Sequence, residues 1–187
     1  MLESVITAEE GNRLLRLARR AILSAMEGEP RPQLPPEQLT DGLMKPLGAF
    51  VTLYHKGELR GCIGRMQYDT PLHLNVVEAA ISTALNDPRF PSVTPQEVPG
   101  LKISLSILDE PQPVPHYDQF DPDQHGIVME IGFSHGTFLP KVAREYGWDR
   151  AMTLAMLCRK IGLADDAWQK PEAKFKIYHA IEFVEEV

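Results

Sequence analysis

Between Pro71 and Asn86 the chain carries one charged side chain, Glu78. Leu72, Leu74, Val76, Val77, Ala79, Ala80, Ile81, Ala84 and Leu85 fill most of the interval. Thr70-Pro71 supplies a capping hydroxyl followed by proline at the first helical position. The pattern predicts a helix from Thr70 to about Asn86 with little polar surface. Such a helix has to be covered on most sides, so the fold must be built around it. Asp87-Pro88-Arg89-Phe90-Pro91 ends it, because each proline disfavours helical geometry in the residue before it.

The covering elements read mainly as antiparallel strands. Phe50, Thr52 and Tyr54 alternate with Val51, Leu53 and His55, Lys56-Gly57 offers a tight turn, and the returning strand runs from Glu58 to about Met66. Leu101, Ile103, Leu105 and Ile107 alternate with polar residues and predict a half-buried strand. Ile127, Met129, Ile131 and Phe133 form another strand face with a turn expected at Ser134-His135-Gly136, and Phe175 to Phe183 reads as one closing strand. A first helix starts at the capping box Thr7-Ala8-Glu9-Glu10 and stops at Gly28; two more cover Leu139–Trp148 and Arg150–Ile161. The stretches from Glu29 to Pro46 and from Pro111 to Gln124 read as proline-rich connections. This order predicts an α+β fold, with a mainly antiparallel sheet and flanking helices. We read residues 1–187 as a single domain, with two unequal lobes and a cleft between them.

A net charge of -7 argues against nucleic-acid binding, because a phosphate backbone attracts basic patches. The densest basic cluster, Arg13, Arg16, Arg19 and Arg20, lies on the first helix and reads as a solvated face. No apolar run approaches the ~20 residues of a membrane-spanning helix, and the N-terminal residues lack the pattern of a signal peptide. A reducing cytoplasm, with Cys62 and Cys158 as free thiols, is the expected setting. The histidines show no metal-ligand spacing, and no Walker loop, dinucleotide fingerprint or nucleophile elbow is present. No cofactor or metal is therefore identifiable.

The candidate chemistry centres on Cys62, between Gly61 and Gly64. Strict alternation puts Arg60 on its face, where a guanidinium would favour the nucleophilic thiolate. The glycines remove side-chain bulk and allow a ligand or another backbone to come close. The alternative is architectural: Cys62 as a small core residue, and Gly61 as room for an aromatic neighbour. Cys158, at helical spacing with Leu154 and Ile161, reads as core. His125, before Gly126 at a strand start, is the candidate catalytic partner of Cys62. His179 reads as a satisfied buried histidine. Asp87 and Arg89, flanking Pro88, read either as a local ion pair or as polar groups of a binding site.

Leu59-Arg60-Gly61-Cys62-Ile63-Gly64 resembles the LRGCIG signature of the AMMECR family. The resemblance continues through Ala84–Pro91, His125-Gly126-Ile127, Phe138–Asp149 and Cys158–Leu163, in the same order. It implies a two-lobed α/β fold with a cleft near the LRGCIG strand. It also implies partnership with a Memo-type protein and a radical S-adenosylmethionine protein in the AmmeMemoRadiSam system. It supplies no established reaction. Carried over by motif position, the site candidates are Arg60, Gly61, Cys62, Gly64, Asp87, Arg89 and His125. The expected function is an enzyme or enzyme component that binds a small anionic molecule at the LRGCIG strand. The alternatives are a non-catalytic adaptor using the proline-rich stretch before residue 46 and, third, a nucleic-acid binder.

Overall fold

The computed structural model describes residues 2–186. Among them are α-helices α1 (Ala8–Glu27), α2 (Asp41–Met44), α3 (Leu72–Leu85), α4 (Pro140–Tyr146) and α5 (Arg150–Lys160). The strands are β1 (Gly48–His55), β2 (Glu58–Arg65), β3 (Leu101–Leu108), β4 (Gln112–Val114), β5 (Gly126–Ile131), β6 (Ser134–Phe138), β7 (Lys174–Tyr178) and β8 (Ala180–Val184). The fold is α+β, with two antiparallel four-stranded sheets ordered β2-β1-β3-β8 and β4-β7-β5-β6. No helix of the described residues is long and apolar enough to cross a membrane.

The chain forms two compact units, each with its own core. The first runs to Leu108 and takes the chain back from Ile181; the second is Asp109–Ala180. In the first, α3 packs on one face of the β2-β1-β3-β8 sheet and against α1, and Val51, Leu53, Ile103 and Leu105 are fully buried beneath. The near-absence of charge along α3 is thereby explained, since Leu72, Val76, Ala79 and Ala80 have no exposed surface. The capping box of α1 forms as expected, Glu10 N–H donating to Thr7 Oγ1 and Thr7 N–H to the Glu10 carboxylate. Gly28 closes the helix at φ +70°. Lys56 and Gly57, at φ +53° and +85°, make the β1–β2 turn, both left-handed as a primed two-residue hairpin turn requires.

Several expectations shift. Thr70 does not cap α3: its hydroxyl donates to Asp69, Pro71 stands at the N-cap, and Leu72 N–H is satisfied by Lys45 C=O. β3 is buried on both faces, Ser104 and Ser106 included, because it lies inside the sheet between β1 and β8. The β5–β6 turn falls at Gly132-Phe133, two residues early, where Gly132 takes φ +59°. The connection after Pro111 contains β4, and the one after Glu29 contains α2. The closing segment is two strands, β7 in the second sheet and β8 in the first. At His179, between them, the chain passes from one sheet to the other.

The second unit closes its core with Ile127, Met129, Leu154, Leu157 and Cys158. Cys158 is fully buried, as read, and burial pushes its thiol pKa up. Both cysteines are free.

Candidate functional site

β2 is the edge strand of the first sheet, and a bulge sets its geometry. Leu53 pairs with Gly61 but Tyr54 pairs with Leu59, so Arg60 is an extra residue on β2. The strict alternation expected for residues 59–64 therefore breaks. Cys62 stays opposite Thr52, with Thr52 Oγ1 3.3 Å from Cys62 Sγ. Arg60 leaves that face and is carried to the loop after α3. Its Nε and Nη2 meet the Glu97 carboxylate at 2.8 and 3.3 Å, and Nη1 and Nη2 donate to Pro91 C=O and Ser92 C=O. The Arg60 hydrogen bonds, joined by those from Thr94, hold the Glu97 carboxyl at a pKa of about 2. The guanidinium expected beside Cys62 is thus committed elsewhere.

The charged pair at Cys62 is Asp87–Arg89. An edge strand presents unpaired peptide groups, and here side chains take the place of a neighbouring strand. Asp87 Oδ2 accepts from Cys62 N–H at 2.8 Å, and Arg89 Nη2 donates to Cys62 C=O at 3.0 Å. The same Nη2 reaches Asp87 Oδ2 at 2.7 Å, and Arg89 Nε and N–H donate to Asp87 Oδ1. The Asp87 side chain is 2% exposed and that of Arg89 54%. Hydrogen bonds from Arg89 outweigh the opposing effect of burial and lower the Asp87 pKa to about 2; the Arg89 pKa rises in return. Arg89 Nη1 has no hydrogen-bond partner among the described residues, and the Cys62 side chain is half-buried.

The two glycines serve different contacts. A Cβ on Gly61 would meet Thr83 C=O at 2.8 Å, so Gly61 lets the α3 backbone sit directly on β2. A Cβ on Gly64 would lie within the Phe50 ring at 2.2 Å. The aromatic neighbour expected at Gly61 is therefore found at Gly64. Thr83 completes the seam, its Oγ1 accepting from Ile63 N–H and donating to Ala79 C=O.

His125 belongs to the second unit and has partners there. Its Nδ1 accepts from Asp121 N–H at 3.1 Å, and its ring meets His179 edge-on at 5.1 Å. Burial, then the neighbouring His179, lowers its pKa. His179 is not a buried histidine: its side chain is 58% exposed and held to Asp109 by ring and backbone N–H. Among the described residues no group of three or more His, Cys, Asp or Glu side chains could hold a metal ion. The proline-rich stretch before residue 46 turns Pro32 and Leu34 inward, with Leu34 in the first core.

Glu97 and Thr83 are site-shaping residues that the sequence reading passed over. Thr94-Pro95-Gln96-Glu97 has the capping-box form, and Glu97 does accept from Thr94 N–H and Oγ1.

The comparisons with known proteins cover nearly the whole chain. Protein MK0488 of Methanopyrus kandleri is 40% identical, covering 97% of this chain and 91% of its own. A protein of Methanothermobacter thermautotrophicus is 37% identical over 97% of both chains. The crystal structure of the uncharacterised protein PH0010 from Pyrococcus horikoshii superposes with a TM-score of 0.91 at 34% identity, covering 97% of this chain and 94% of that one. The AMMECR1 family model matches residues 15–183, the span that holds the β2 edge, its Asp87–Arg89 clamp and most of both cores, and the chain belongs to the AMMECR1 family.

Proposed function

We propose that the protein binds a small anionic molecule at the β2 edge, with Arg89 as the anion contact and Cys62 as the thiol that faces it. The reading rests on one observation. Arg89 is anchored through Nε and Nη2 to a buried carboxylate and to Cys62 C=O, while Nη1 stays free on a side chain 54% exposed. A guanidinium fixed on one side loses little further freedom when its other side takes a ligand. Gly61, Gly64 and Asp87 then position the site, and Arg60 shapes it through Glu97. A Memo-type protein and a radical S-adenosylmethionine protein are the partners the family resemblance implies.

The test compares alkylation of Cys62 by iodoacetate, an anion, and iodoacetamide, its neutral counterpart, by intact mass with Cys62→Ala as control. The expected result is a preference for iodoacetate over that of free cysteine, lost in Arg89→Gln and suppressed by inorganic phosphate. A thiol that reacts only after unfolding, or shows no preference for the anion, would sink the reading.

A further inference from the structure

The arginines of the first unit are mostly spoken for. Arg13, Arg19, Arg31, Arg60 and Arg89 each carry a carboxylate partner. In a chain whose acids outnumber its bases by 26 to 19, a cation without an acid stands out. Arg16 on α1 and Lys102 on β3 are both exposed, and neither has a hydrogen bond or ion pair among the described residues. They line one cleft of about 500 Å³, walled by α1, the start of β3 and the C-terminal Glu185 and Glu186.

The cleft is rigid where it matters. Arg19, one turn beyond Arg16, spends its whole guanidinium on structure. Nε and Nη2 grip the Glu185 carboxylate, Nη1 donates to Val98 C=O, and Nη2 donates to Leu101 C=O. Glu185 also accepts from Ile103 N–H. This network ties α1, β3 and the C-terminal segment into one wall and leaves Arg19 and Glu185 neutral as a pair. The remaining charges of the lining are Arg16, Lys102 and the single carboxylate of Glu186. The apolar part of the lining is Leu15, Pro99 and Leu101.

We propose that this cleft is a second binding site, for a small amphipathic anion: a phosphate monoester or carboxylate on an apolar body. The oxyanion lies between Arg16 and Lys102, and the body rests on the exposed Pro99, beside the buried edges of Leu15 and Leu101. The volume is that of a small-molecule pocket, and two cations with unused donors are the groups that recognise an oxyanion. The site is separate from the Arg89–Cys62 edge and does not depend on that reading.

The experiment is an NMR titration of the full chain with phenyl phosphate, following backbone amides of Leu15, Arg16, Leu101 and Lys102. Inorganic phosphate and an acidic hexapeptide are run in parallel. The expected result is saturable shifts at these residues, with phenyl phosphate binding more tightly than either comparison ligand. Arg16→Gln/Lys102→Gln should weaken it at least tenfold at an unchanged melting temperature, since both side chains are exposed. Absence of shifts, or affinity unchanged in the double variant, overturns the site. Tighter binding of the hexapeptide, or equal binding of inorganic phosphate, overturns the small amphipathic ligand.

Discussion

Asp87→Ala isolates the clamp on the edge strand. In the native protein this buried carboxylate accepts from Cys62 N–H, from Arg89 N–H and from two guanidinium nitrogens. Lowering a carboxyl from its ordinary 3.8 to about 2 corresponds to roughly 2 kcal/mol. Half-exposure of Arg89 screens part of that, which leaves about 1–2 kcal/mol for the charge interaction. The Cys62 N–H bond is already one cause of that shift, so the substitution should cost the first unit about 1–2 kcal/mol at pH 7. The sign follows from a depressed folded pKa: the stabilisation is complete above pH 4 and disappears as pH falls through about 2. Urea unfolding at pH 7, 4 and 2.5 measures this, with amide exchange at Cys62 reporting on the edge strand itself. The gap between wild type and variant should shrink towards pH 2, and Cys62 N–H should exchange at least tenfold faster in the variant. A constant gap across that range, or unchanged exchange at Cys62, would refute the assignment of Asp87 as the carboxylate that holds the strand.

The glycines differ in what they abut. Gly61→Ala sets a methyl against the Thr83 carbonyl, which the helix backbone cannot move aside, and should cost about 2–3 kcal/mol in thermal unfolding. Gly64→Ala meets the Phe50 ring, which can rotate away, and should cost less; the reverse ranking would contradict the contacts. The His125 ring, followed by its carbon-bound proton resonances, should titrate below 6.5. Because its folded pKa is depressed, it favours the folded state least in acid, and the second unit should lose stability as pH falls from above 6.5 towards that lowered value. His125→Asn should remove that slope. Cys62→Ala should leave stability within about 1 kcal/mol, measured by urea unfolding, because the side chain is half-buried and its one hydrogen-bond contact among the described residues is Thr52 Oγ1.

Features set by neighbours in sequence were legible: the Thr7 box, the Gly28 stop, the Lys56-Gly57 turn and the apolar length of α3 all depend on local residue type. Features set by pairing were not. The Arg60 bulge changes no residue pattern, only the register between β1 and β2, and register is a property of two strands. Phe175 to Phe183 alternates without a break, so nothing in its period marks the passage from β7 to β8. The pairing does: β7 lies between β4 and β5, and β8 beside β3. Thr70 loses its cap role to a contact from Lys45, distant in sequence. The Asp87–Arg89 pair was legible as a local ion pair. Its use of the Cys62 peptide, from both sides, depends on β2 being an edge.

That use sharpens what the motif leaves to explain. Arg60 is accounted for by Glu97 and two carbonyls, Gly61 by the α3 backbone, Gly64 by the Phe50 ring, and Asp87 by the Cys62 peptide. Each is satisfied by the fold alone, without a ligand. The Cys62 side chain is different, because the clamp grips its backbone and would grip any residue's backbone there. A half-buried thiol with one hydroxyl neighbour is not required by packing, which serine or alanine would meet almost as well. The clamp uses Nε and Nη2 of Arg89, and the Nη1 that comes with them has no hydrogen-bond partner among the described residues. The thiol and this guanidinium share the Cys62 peptide, so the binding proposal predicts that one ligand engages both.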